Sequence, residues 1–108
     1  METKIPEVFV FGYLLNKTEY WFPDVNILFF NKEGGGVQWI INERLSIIST
    51  PRSYGGQEGL LEVLLLGEED EPEGYTTAGE AIAGVHAFLR GRDWREAIHT
   101  EKADPYYV

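Results

Sequence analysis

The chain contains no cysteine, so neither a disulfide framework nor a thiolate metal site is open to it. That composition fits a reducing cytosol. No apolar run approaches the roughly 20 residues that a membrane-crossing helix needs. The opening residues, Met1-Glu2-Thr3-Lys4-Ile5-Pro6-Glu7, are polar and acidic, unlike a secretory signal. Basic residues are scarce: nine Lys and Arg stand against 18 Asp and Glu, for a formal net charge of −9. Between Ser53 and Leu89 there is neither Lys nor Arg. A negative field of this kind disfavours the phosphates of DNA and RNA, so direct nucleic-acid binding is not expected. The expectation is a cytoplasmic protein held off the membrane.

Signatures of chemistry are missing as well. Gly34-Gly35-Gly36 is followed by Val37-Gln38, whereas a phosphate-binding loop ends in Gly-Lys-Ser/Thr. The two histidines, His86 and His99, stand alone and lack metal-ligand spacing. The acidic run Glu68-Glu69-Asp70-Glu71-Pro72-Glu73 lacks the alternating ligands and central glycine of a calcium loop. Ser53 has no nucleophile-elbow motif around it. No catalytic residue, metal ligand or cofactor is therefore expected, and the chain reads as a binding protein rather than an enzyme.

What is present is a single domain, residues 1–108, with 44% hydrophobic and 14% aromatic residues, enough for one core. The chain is organised around residues 44–66. Two apolar, strand-length flanks, 44–50 and 60–66, enclose the glycine-rich Ser53-Tyr54-Gly55-Gly56-Gln57-Glu58-Gly59. This predicts two antiparallel strands joined by a long loop, at the middle of a sheet, with the second strand covered on both faces. The β-branched and aromatic run from Val8 to Leu15 predicts another strand, with Gly12 as a bulge. Asn16-Lys17 reads as a turn, 18–22 as the returning strand and Pro23-Asp24 as its stop. Residues 25–30 and 37–41 predict two further strands around the glycine turn 31–36. Residues 67–74 read as loop.

A capping box, Thr77-Ala78-Gly79-Glu80, predicts a helix start. From there Ala78, Ala81, Ile82, Val85, Phe88 and Leu89 share an arc of about 120°. Gly84 is read as allowing close approach to the sheet, and Gly91 as the stop. Asp93 reads as a second cap, opening a short helix through Ile98, with the tail 100–108 loose or docked by its tyrosines. The fold class predicted is α+β: an antiparallel sheet of about five or six strands with one main C-terminal helix packed on one face.

Two regions are candidates for contact with a partner. One is the loop of Tyr54, Gly55, Gly56 and Glu58, where small residues let another molecule approach the backbone. The other is the acidic stretch Glu68, Glu69, Asp70, Glu71 and Glu73, complementary to a partner with a basic surface. Strand 60–66 separates them by roughly 20 Å, a span for a macromolecule rather than a small ligand. Tyr20, Trp21 and Trp39 are candidates for an exposed aromatic patch. One main helix covers one sheet face only, so the other face predicts a homodimer.

The stretch Ser53-Tyr54-Gly55-Gly56-Gln57-Glu58-Gly59-Leu60-Leu61-Glu62-Val63 resembles small acidic proteins encoded by phages and prophages. In these a hairpin bearing Ser-Tyr-Gly-Gly and Gly-Leu-x-Glu precedes an acidic loop and a C-terminal helix. The resemblance covers roughly residues 44–90. It implies an inhibitor of a host defence protein, of the anti-CRISPR kind or another. A toxin-neutralising immunity protein would share the same physics. The alternative reading is a protein that sequesters a nucleotide-like ligand by stacking on Tyr54 and Trp39.

Overall fold

A computed structural model describes residues 5–68 and 70–103. In chain order the elements are α1 (Glu7–Trp21), β1 (Ile27–Asn31), β2 (Val37–Ile41), β3 (Leu45–Ser49), β4 (Leu61–Leu65), β5 (Glu73–Thr76), α2 (Ala78–Leu89) and α3 (Trp94–Lys102). The five strands form one antiparallel sheet in the order β1-β2-β3-β4-β5, a meander in which each strand pairs with its sequence neighbours. The α+β class and the five-stranded antiparallel sheet agree with the sequence reading. No described helix is long and apolar enough to cross a membrane.

Residues 8–22 depart from expectation. Residues 8–15 and 18–22 are not two strands but one helix, α1. An apolar run filled on every side satisfies a strand's period of two and a helix's period of 3.6 alike. Tertiary packing decides between them. Phe11, Leu15 and Thr18, at spacings of four and three, are buried, the first two in the core with the sheet and Thr18 against His86 of α2. The Phe11 ring meets Trp39 edge-on, with centroids 5.0 Å apart. Gly12 is no bulge: a Cβ there would sit 3.6 Å from the Trp39 ring, so the helix lies close on the indole. Asn16 and Lys17 are helical rather than a turn. Pro6 stands at the N-cap with φ −57°, the value a helix start accepts, and its carbonyl receives the N–H groups of Phe9 and Val10.

The turns follow the local chemistry. Gly34, Gly35 and Gly36 all have positive φ between β1 and β2. Asn42 and Glu43 also adopt positive φ, 48° and 63°, and Asn42 Oδ1 receives the Asn26 N–H at 2.8 Å. Thr77 and Glu80 form the reciprocal capping box that opens α2. Asp93 caps α3 through the N–H groups of Arg95 and Glu96, and that helix runs four residues past Ile98 to Lys102. Gly84 does admit a close neighbour, but it is α3 rather than the sheet. A Cβ there would lie 2.9 Å from Ile98.

One core holds the molecule together. Trp39, Ile41, Leu45, Ile47, Leu61 and Val63 form the inner sheet face, beneath Phe11 and Leu15 of α1, Ala81 and Val85 of α2, and Trp94 and Ile98 of α3. Three helices, rather than one main helix, make up this layer.

Candidate protein-binding face

Because strand side chains alternate, the inner face defines an outer one. The register places Phe30, Gln38, Ile48 and Glu62 in one row across it, and Leu28, Ile40, Ser46 and Leu64 in the next. The three helices gather on the opposite side around the core. Leu28 and Phe30 are 41% and 43% exposed, and Ile40, Ile48 and Leu64 are half-buried by their neighbours in the sheet. Strand β4 is thus covered by helices on one face only, where both faces were expected to be covered. A polar line crosses this largely apolar surface, and Glu62 adds a carboxylate at the end of one row. Lys32 Nζ donates to Gln38 Oε1 at 3.1 Å, and Gln38 Nε2 donates to Ser46 Oγ at 2.9 Å.

The Tyr54 loop closes one end of β4. It is braced throughout. Thr50 Oγ1 accepts from the N–H groups of Arg52 and Ser53, and Ser53 Oγ accepts from Thr50 N–H while donating to Thr50 O. The Tyr54 carbonyl accepts from Tyr75 N–H at 3.1 Å, and the Tyr54 backbone lies near enough to Glu62 to act on its carboxyl. Burial pushes the Glu62 carboxyl above its usual value, and the Tyr54 backbone pulls it partly back.

The glycines serve this brace. A Cβ on Gly56 would lie 1.7 Å from Thr50 O, and one on Gly74 would lie 2.4 Å from Tyr54 Cβ. Gly55 is buried with φ 91°. Gly55 and Gly56 therefore meet the chain's own backbone.

What the loop presents outward is Tyr54, 59% exposed, beside Tyr75, 58% exposed. Tyr75 holds φ 50°, which a bulky side chain adopts only where its surroundings impose it. The two border a recess of about 310 Å³ that Arg52, Gln57 and Glu58 also line. Tyr75 was not among the residues singled out from sequence. Its signal is thin, since it falls between an acidic loop and a helix cap.

The acidic residues divide. Glu58, Glu68, Asp70 and Glu71 are exposed, and Glu68 lies 3.5 Å from the guanidinium of Arg44. Glu69 falls outside the described residues. Glu73 turns inward to α3, where Arg95, His99 and Lys102 contact its carboxylate at 3.0, 2.9 and 3.3 Å. Burial alone would raise its pKa, but the hydrogen bonds and charges of His99 and Lys102 outweigh that and hold it below the usual value. Glu73 is thereby tied to the fold. The Tyr54 loop, which includes Glu58, and the exposed acids Glu68, Asp70 and Glu71 lie at opposite ends of β4, as the sequence spacing implied.

The expected aromatic patch does not assemble. Tyr20 and Trp21 are exposed on α1, at 88% and 76%, but Trp39 is buried between Phe11 and Phe29. Its place on the inner face of β2 puts it under a helix.

His86 on α2 reaches α1. Its Nε2 lies 2.9 Å from Thr18 Oγ1, which itself donates to Leu14 O. With the hydroxyl proton so committed, Thr18 accepts and Nε2 carries the hydrogen. Burial and, after it, the charge of Arg90 depress the His86 pKa. Among the described residues no three His, Asp or Glu side chains are placed to hold a metal ion.

No protein-family model matches this chain, and no curated protein or solved structure matches it significantly.

Proposed function

We propose that the chain acts by binding another protein through the outer sheet face. Tyr54 serves as its aromatic anchor and the exposed acids Glu68, Asp70 and Glu71 as its rim. One observation carries the reading: a largely apolar face that none of the described helices covers ends near a pair of exposed tyrosines held by a braced loop. Pre-organised loops bind with less loss of entropy, and exposed apolar sheet surface favours a complementary partner. The partner would offer an apolar patch flanked by basic residues. In the setting that the phage-protein resemblance implies, the chain is a cytoplasmic inhibitor that occupies a basic site on a host defence protein.

Quantitative affinity capture from a host lysate tests this, with wild type, Phe30→Glu and Tyr54→Ala as parallel baits. A partner enriched by wild type should fall at least tenfold with each variant. A partner retained equally by all three baits rejects this face as the docking surface.

The recess between Tyr54 and Tyr75 favours a second reading, a small planar ligand stacked there. Trp39, the other stacking group expected, is buried and out of reach of such a ligand. Native mass spectrometry that retains a small molecule on wild type, and loses it on Tyr54→Ala, would favour this reading over the first.

A further inference from the structure

Helix α1 is apolar on two opposite sides. Its inner side, Phe11, Leu15 and Thr18, belongs to the core. On the outer side Phe9, Tyr13 and Tyr20 fall within an arc of about 40° at 100° per residue, roughly opposite the buried residues, and Ile5 stands just before the helix N-cap. All four are bare: 69%, 60%, 88% and 67% exposed. Trp21, 76% exposed at the end of the helix, lies about 80° round from the edge of this stripe. The exposed Asn16 borders it, and Lys17 leans over it, its Nζ 5.1 Å from the centre of the Tyr13 ring.

We infer that this stripe is the contact between two copies of the chain, related by a two-fold axis. Area is the first argument. With side chains of roughly 200 Å² each, the exposed fractions of Phe9, Tyr13 and Tyr20 together with the flanking Ile5 and Trp21 amount to on the order of 700 Å² per copy. That approaches the ~800 Å² that each partner contributes to a standard stable interface. Composition is the second. Tyr, Trp and Phe are enriched at the centres of interfaces and charges are depleted there, which is how this stripe is built. Charge is the third. A membrane-surface helix carries Lys and Arg along its polar side, whereas α1 holds one Lys with Glu7 and Glu19 in a chain of net charge −9.

The consequence concerns geometry. The stripe faces away from the sheet, so two copies joined through α1 keep both outer sheet faces free, pointing outward on opposite sides. A homodimer was expected from the sheet face; here it forms on the helix layer instead. The resulting particle is bivalent and gains avidity for a partner that is itself repeated.

Sedimentation equilibrium from low to high micromolar concentration tests the inference, for wild type, Phe9→Glu, Tyr13→Glu and Phe30→Glu. Wild type and Phe30→Glu should dimerise alike, and the two α1 variants should weaken association at least tenfold with unchanged circular dichroism. Added salt should strengthen association, because it screens two copies of like net charge. A wild-type monomer throughout overturns the inference. So does a dimer broken by Phe30→Glu but not by the α1 variants. So does co-sedimentation of the wild type with phosphatidylcholine vesicles that Phe9→Glu abolishes.

Discussion

The carboxylate of Glu7, in the first turn of α1, accepts a hydrogen bond at 2.8 Å from the backbone N–H of Ala78, the first residue of α2 and 71 positions away. A helix start leaves its first N–H groups without partners. At α2 the capping box supplies two acceptors, Thr77 Oγ1 for the Glu80 N–H and Glu80 Oε1 for the Thr77 N–H. Glu7 supplies a third from another helix, and its charge suits the positive end of the α2 dipole.

Thr77→Ala and Glu7→Ala should therefore each destabilise the fold by about 1 kcal/mol. Urea denaturation midpoints measure this. Glu7→Gln keeps an acceptor oxygen and should lose less than Glu7→Ala. Equal losses for the two would show that the acceptor oxygen is not what matters at this position.

Gly56→Ala should be more damaging than either cap variant. Its Cβ would lie 1.7 Å from the Thr50 carbonyl, a backbone atom that cannot swing aside. Overpacking of this kind costs roughly 1–3 kcal/mol or more. Thermal melts should show a lower Tm. Gly59→Ala offers a comparison, since its Cβ would meet no atom within 4 Å and only the backbone dihedral of 77° opposes it. A smaller loss at Gly56 than at Gly59 would mean that the loop is not packed as described.

The pH dependence of stability has two parts with defined signs. His86 is depressed below 6.5, so folding favours its neutral form. Its contribution is complete above pH 6.5 and is lost as pH falls through the lower, folded-state value. His86→Gln keeps a donor for Thr18 and should flatten that part of the curve. Glu73 is held below 4.5, so its contribution is complete above pH 4.5 and fades as pH falls further. Denaturation midpoints across pH 3 to 8 should separate the two, and a His86→Gln profile that parallels wild type between pH 7 and 5 would count against the first.

Once a partner has been captured, the two ends of β4 should act on different rate constants. Reversing Glu68, Asp70 and Glu71 to Lys should slow association and reduce its salt dependence, because rim charges steer encounter. Tyr54→Ala should instead speed dissociation, as loss of an anchor does. Surface plasmon resonance reads both. Tyr75→Ala should resemble Tyr54→Ala, and unchanged kinetics for the tyrosine variants would take this pair out of the interface.

Local chemistry alone determined much of this protein. Strand 37–41, the paired strands on either side of the Tyr54 loop, the glycine turn before Val37 and the capping box at Thr77 all rest on residues within a few positions of one another. Each was legible for that reason. The separation of the Tyr54 loop from the acidic stretch followed from the same local order, whereas Tyr54 itself, which could as well have capped the core, is 59% exposed. Tertiary structure decided the rest. Residues 8–22 suit either a strand or a helix, and the buried ring of Trp39, far along the chain, gives Phe11 and Leu15 a surface to pack on. Glu73 and Gly74 read as the end of a loop until the free edge of β4 pairs with Glu73–Thr76, and Arg95, His99 and Lys102 then turn an acid of the supposed rim into a structural anchor. Gly55 and Gly56 look open in the sequence because the atoms that fill their space belong to Tyr75 and Thr50. Exposure is likewise a property of the assembled layers, so which apolar face stays uncovered could emerge only when three helices settled on the same side of the sheet.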